Sequence, residues 1–221
     1  DTLDITAEDI TIDGLIDASG AGYPANQNPQ GTPVNGSGSH GGSGRGTLTN
    51  DTYGDPTFPA TAGAGGDDGP GGGVIALTAD TLHVGGFIQV RGQDVEGSGG
   101  AGGAIRLLAP SAGGDLGKIT VTGTLSARGG KSIFEFVAPK YGGGGGRIGI
   151  VGDNVAIEEA TLDVAGGDGP ANGESGGAGT IFIKVGDQAG VVTVHDDNLT
   201  GPTEALGDAN VDGTVGGDYT L

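Results

Sequence analysis

The sequence predicts an all-β fold: a parallel β-solenoid of about five coils, with long glycine-rich loops gathered on one edge. Three features point to it. Apolar residues alternate with a period of two in short runs, the runs recur in one frame, and the long insertions fall at one point of that frame. The clearest copy is Gly71 to Gly92, GGGVIALTADTLHVGGFIQVRG. Ile75, Leu77 and Ala79 alternate with Ala76 and Thr78, as in a half-buried strand. Asp80 and Thr81 break the phase. Leu82, Val84, Gly86, Ile88 and Val90 resume it on the other parity. The unit reads as strand, two-residue corner, strand and glycine-rich loop.

The other copies follow the same frame. Leu3, Ile5 and Ala7 lead to Ile10, Ile12, Gly14, Ile16 and Ala18. Ile105, Leu107 and Ala109 are answered by Ile119, Val121, Gly123, Leu125 and Ala127. Ile148, Ile150 and Gly152 precede Val155 and Ile157, and a last copy runs from Ile181, Ile183 and Val185 to Val192 and Val194. Ile75, Ile105, Ile148 and Ile181 are expected to form one inward column, and Leu82, Ile119 and Val155 another. Residues 1–195 therefore read as one domain, interrupted by an insertion at 20–72. Residues 196–221 read as an acidic tail.

Composition narrows the function. The 221 residues include 53 glycines and 10 prolines, which without a period would predict disorder. Aromatic residues make up 4% and tryptophan is absent, which argues against a sugar-stacking cleft. With no cysteine there is no disulfide and no thiolate metal site. A formal charge of −19 repels nucleic acid and anionic lipid. No run of about 20 apolar residues is present, so no membrane insertion is expected.

The insertion holds GSGSHGGSGRG at Gly36–Gly46, in which His40 is a candidate ligand or base; no GxSxG or ordered Ser–His–Asp pattern accompanies it. Asn35, Asn50 and Asn198 head Asn-x-Ser/Thr sequons. Arg91 and Arg128 occupy equivalent places after the second strand, with Arg106 and Arg147 near the starts of two first strands. They read as ladder partners for nearby aspartates. In the tail, Asp208, Asn210 and Asp212 have the 1, 3, 5 spacing of an EF-hand-type loop, with Gly213 at its sharp turn and Thr214 offering a carbonyl at position 7. Position 12 is Tyr219, and the nearest acid, Asp218, comes one residue early. These residues are the candidate metal ligands, and calcium is the candidate ion.

The repeats, with GTLSARGG at Gly123–Gly130 and GGGGGRIGI at Gly142–Ile150, resemble the glycine-rich β-solenoid repeats of large secreted or cell-surface bacterial proteins. The resemblance covers about residues 5–185 and implies a surface or matrix component. The tail is similar to the first half of a dockerin type I module, which implies calcium at Asp208, Asn210 and Asp212. The frame opens at Leu3 without a polar cap, and the last copy is equally apolar, so both ends are expected to recruit another chain.

The expected function is structural: an extracellular or cell-surface protein, not an enzyme, that associates with itself head to tail into a cation-stabilised filament, sheath or matrix. The alternative is a calcium-dependent adhesin or carbohydrate-binding module acting on extracellular polysaccharide. A third reading is a β-helix polysaccharide lyase, with Arg91 and Arg128 near Asp94 or Asp153 as its candidate groups.

Overall fold

The computed structural model describes residues 1–110, 117–133, 140–157, 159–170 and 174–194, and the backbone of 218–220. The first repeat forms β1 (Thr2–Ile12) and β2 (Leu15–Asp17), and the insertion contributes the hairpin β3 (Asn35–Gly36) and β4 (Gly46–Leu48). The second repeat forms β5 (Val74–Val84) and β6 (Phe87–Gln89). The third gives β7 (Ala104–Ala109), β8 (Lys118–Val121) and β9 (Thr124–Ser126), and the fourth β10 (Arg147–Gly152), β11 (Asn154–Ala156) and β12 (Thr161–Asp163). Last come β13 (Thr180–Val185), β14 (Val191–Val194) and β15 (Asp218–Thr220).

The chain is all-β, and no helix forms among the described residues. It is not the parallel β-solenoid of about five coils that the sequence predicts. The strands divide among a nine-stranded mixed sheet, a four-stranded sheet β12-β9-β6-β2 and the separate two-stranded hairpin. In the large sheet β1, β5, β7, β10 and β13 pair in parallel, but β14 runs antiparallel to β13 and β15 antiparallel to β14. The cause is the link 186–190, whose Gly186 has φ 55°. A link this short permits a reversal, whereas a parallel return needs a crossover of roughly a dozen residues. The expected two-residue corner is also absent from the second repeat. β5 continues through Asp80, pairing with β7 over Val74–Thr78 and with β8 over Thr81–Val84. The parity change at Asp80 falls within one strand, and β1 follows it in unbroken register, Ala7 pairing with Ala79 and Asp9 with Thr81.

The inward columns form where alternation places them. Ile75 pairs with Ile105, Ile105 with Ile148 and Ile148 with Ile181. Leu82 pairs with Ile119, and Ile119 with Val155. Most of these side chains are fully buried in one apolar cluster that also holds Leu77, Ile88, Leu107, Leu125 and Ile150. Identical β-branched or γ-branched residues stacked along a parallel sheet fill the same space at each level, so one choice of residue serves every repeat.

The glycine-rich segments between repeats are ordered chains that bond to one another. Gly142 and Gly145 donate to the carbonyls of Glu174 and Gly177, Gly143 and Gly146 to those of Gly130 and Ala127, and Gly144 to that of Gly38. Residues three apart thus return to the same neighbour, while a β-strand would alternate every second residue. A chain with three residues per turn and no internal hydrogen bonds, as in polyproline II, has this property. Gly99 and Gly102 repeat it, donating to Tyr141 and Gly144. None of Gly142–Gly146 has a positive φ, so glycine is required here for space and not for conformation. A methyl group at Gly145 would overlap the Val164 carbonyl oxygen, and one at Gly143 the Gly100 carbonyl oxygen. Backbone polar groups that would otherwise need water are satisfied inside this bundle.

Candidate functional site

The first repeat has the frame of the second but not its cover. Among the described residues β1 pairs only with β5, which leaves its other edge without a partner strand. Leu3 pairs with Ile75, Ile5 with Leu77, Ile10 with Leu82 and Ile12 with Val84. The four β5 residues are fully buried, whereas Leu3 is 39% exposed and Ile5 and Ile12 are partly exposed. Leu15 on β2 is 60% exposed and pairs with Phe87 on β6, itself 51% exposed. The Val74 amide donates to the Asp1 carbonyl. By the alternation of a parallel ladder, Leu3 and Ile5 then turn their amides toward β5, and Asp4 and Thr6 turn theirs outward. The surface is therefore an 11-residue strand whose outward backbone groups meet no other strand among the described residues, beside partly covered aliphatics. Its charge is uniform: Asp1, Asp4, Glu8, Asp9, Asp13 and Asp17 are all exposed, and no Lys or Arg occurs before Arg45.

The opposite end differs. β13 is covered by β14, so the apolar last repeat is not the open edge that the sequence suggests. β11 and β12 are the terminal strands of their sheets at that end.

The insertion is a strap laid along the stack. Gly38 donates to Gly99, Gly42 to Gly145, and the Ser43 carbonyl accepts from Gly177, so 38–43 touches the segments that lead into β7, β10 and β13 in turn. Arg45 extends the contact to Glu174, 3.3 Å away. The returning half crosses the outer face of the large sheet. Phe58 lies under the Arg106 guanidinium, 4.1 Å from its ring centre, and Pro59 occupies the space that a side chain at Gly149 would fill.

His40 and Arg147 hold the strap down. His40 is fully buried. Its Nδ1 lies 2.8 Å from the Gly102 carbonyl oxygen and must donate to it, so Nε2 accepts from the Thr61 hydroxyl at 2.9 Å. Burial first, then the Arg147 charge, push its pKa down to about 3. Arg147 is 3% exposed. Its Nε and Nη2 donate to the Tyr53 carbonyl at 3.1 and 2.9 Å, and Nη1 to the Thr180 hydroxyl at 2.8 Å. Burial lowers its pKa to about 10, opposed by the charge of Asp55. Burial also raises the pKa of the Tyr53 phenol, whose ring is tilted against His40 with ring centres 4.9 Å apart and whose hydroxyl donates to the Ala62 carbonyl. Both nitrogens of His40 are committed and its charged form is disfavoured. The candidate ligand or base of the sequence is thus a neutral hydrogen-bonding hub in the fold. Sequence reasoning placed Arg147 merely near a strand start. Nothing in the local pattern distinguishes a buried guanidinium from a solvated one.

The other arginines are dispersed. Arg128 pairs with Asp168 at 3.2 Å, while Arg91 donates to the Ser126 hydroxyl, which in turn donates to Asp163. Asp94 accepts from the Lys131 amide at 2.7 Å and Asp153 from the Gly117 amide at 3.3 Å. Asn50 is buried with its amide bonded to Ser39 and Asp51, so its sequon is inaccessible in the folded chain, whereas Asn35 is exposed. The candidate calcium ligands Asp208, Asn210, Asp212 and Thr214 lie outside the described residues, and Asp218 is placed by its backbone alone, opposite Thr193. Among the described residues no group of three His, Asp or Glu side chains is arranged to hold a metal. Nor is any helix long and apolar enough to cross a membrane.

Comparison with protein-family models, with curated proteins and with solved structures gives no match. The class the fold and surface define is therefore stated in physical terms: an acidic, glycine-bundled all-β chain whose first long strand, β1, has one edge that no described strand covers.

Proposed function

We propose that this chain is a structural protein of the extracellular space or cell surface that associates with itself through the β1 edge. The observation that carries the reading is the incomplete cover of β1. Leu3, Ile5 and Ile12 are partly exposed where their β5 partners are fully buried, beside outward amides. Another strand laid on that edge would bury them, returning roughly 1 kcal/mol for each half-exposed aliphatic, and would satisfy the backbone groups. Pairing of β1 with the β11 and β12 end of a second copy is heterologous and propagates into a filament. The acidic front makes the process cation-dependent, because like charges on approaching copies must be screened.

Sedimentation across a concentration series, with and without calcium, tests the reading. The wild-type chain is expected to grow in mass with concentration. Thr6→Pro, which removes an outward amide that β5 does not use, is expected to remain monomeric with an unchanged circular dichroism spectrum. A wild-type chain that stays monomeric at the highest concentration, calcium included, overturns the proposal.

A further inference from the structure

We propose that the insertion is an acid-released strap: protonation of His40 breaks the clasp at Arg147 and frees residues 37–62 while the strand core beneath stays folded.

The strap and the core are held by different forces. No side chain of 20–72 belongs to the main apolar cluster. The strap is fixed by backbone bonds to the glycine bundle, by the Phe58 and Pro59 contacts on the outer face, and by the clasp. Losing it therefore leaves the columns of Ile75, Ile105 and Ile148 intact.

The groups facing His40 explain why a proton opens the clasp. From β10 comes the Arg147 guanidinium, a fixed positive charge. From the segment before β7 come only the carbonyls of Gly102 and Gly103. The insertion supplies Tyr53, kept as a neutral phenol, the Thr61 hydroxyl, and Asp55. Asp55 acts on Arg147 through space, but its own carboxylate is tied up by the Thr57 hydroxyl and amide and by the Phe58 amide. No carboxylate contacts the imidazole among these groups. A second cation buried beside Arg147 would have no carboxylate of its own to pair with at a fully buried position, and such a charge is expelled.

The sign follows from linkage. The folded-state pKa is depressed to about 3, so the clasp's contribution is complete above the unfolded value near 6.5 and is lost as pH falls toward 3. Within that window opening becomes up to tenfold easier per pH unit, on the order of a hundredfold between about pH 7 and pH 4.

Amide hydrogen exchange, expressed as protection factors over that range, tests this together with NMR of the His40 ring. In the wild-type chain, protection of 37–62 is expected to fall on the order of a hundredfold while the amides of Ile105 and Ile148 keep theirs. The fall should set in below about pH 6.5, while the His40 ring of the closed chain stays neutral down to about pH 3. In His40→Asn, whose amide can still donate to Gly102 but cannot titrate, strap protection should be independent of pH. If that variant is already open at neutral pH, the pH dependence of strap protection in the wild-type chain decides: a fall that sets in below about pH 6.5 over a ring still neutral in the closed chain supports the proposal, and its absence overturns it. So does wild-type strap protection that survives to pH 4, strap and core losing protection together, His40 titrating near 6.5 under a protected strap, or the Asn variant opening at the wild-type pH.

Discussion

At the scale of single residues, the contrast between two glycines separates space from conformation. Gly145 sits where a methyl group would meet the Val164 carbonyl oxygen, a backbone atom held in the bundle, whereas Gly14 has nothing within 4 Å of the place a methyl would take. Gly145→Ala is expected to destabilise the chain by about 1–3 kcal/mol, because neither backbone can yield without breaking hydrogen bonds shared with a third chain. Gly14→Ala is expected to be neutral or stabilising by up to about 1 kcal/mol, through the smaller entropy of the unfolded chain. Thermal or urea unfolding of the two variants measures both. Equal effects would mean that the bundle tolerates side chains and does not hold the repeats together.

At the scale of elements, strands with the same pattern contribute differently according to their cover. Ile148 on β10 is buried between Ile105 and Ile181, while among the described strands Leu3 on β1 pairs with Ile75 alone. Ile148→Ala is expected to cost about 2–5 kcal/mol. Leu3→Ala should cost less than that in dilute solution, since 39% of Leu3 is already in water. Repeating the unfolding at concentrations where copies associate should raise the cost of Leu3→Ala and leave that of Ile148→Ala unchanged. A concentration-independent Leu3→Ala effect would remove β1 from the association surface. The same reasoning explains the other end, where β14 folds back on β13 and takes up the bonding groups that a following repeat would use.

At the scale of the whole molecule, 28 acidic against 9 basic residues leave a charge of −19 to be tolerated by a fold with one main apolar cluster. Cations that bind or screen the folded form relieve that repulsion. We expect calcium to raise the melting temperature relative to chelator at constant ionic strength. Replacing Asp208 and Asp212 with Asn should remove the part of the rise that belongs to the tail loop. An unchanged melting temperature in calcium would leave general screening as the only role of cations. The strap adds a second whole-molecule feature, since one insertion touches the segments leading into β7, β10 and β13. It ties repeats together lengthwise, whereas the strands tie them only to their neighbours.

The alternation of Ile75, Leu77 and Ala79, and its recurrence from Ile105 and Ile148, determined which side chains face inward and which stack in register, because side-chain direction in a strand depends on parity alone. Parity does not depend on strand direction. The reversal of β14 was therefore decided by the short link at Gly186, and with it the departure from a parallel solenoid. The glycine segments carry no side-chain pattern to read. Their three-residue bonding period exists only once distant segments such as 38, 127–130 and 174–177 surround 142–146. His40 and Arg147 read in sequence as a loop histidine and an arginine near a strand start. Tertiary structure made them a clasp, because burial and partners 62 and 94 residues away set the charge that each can hold.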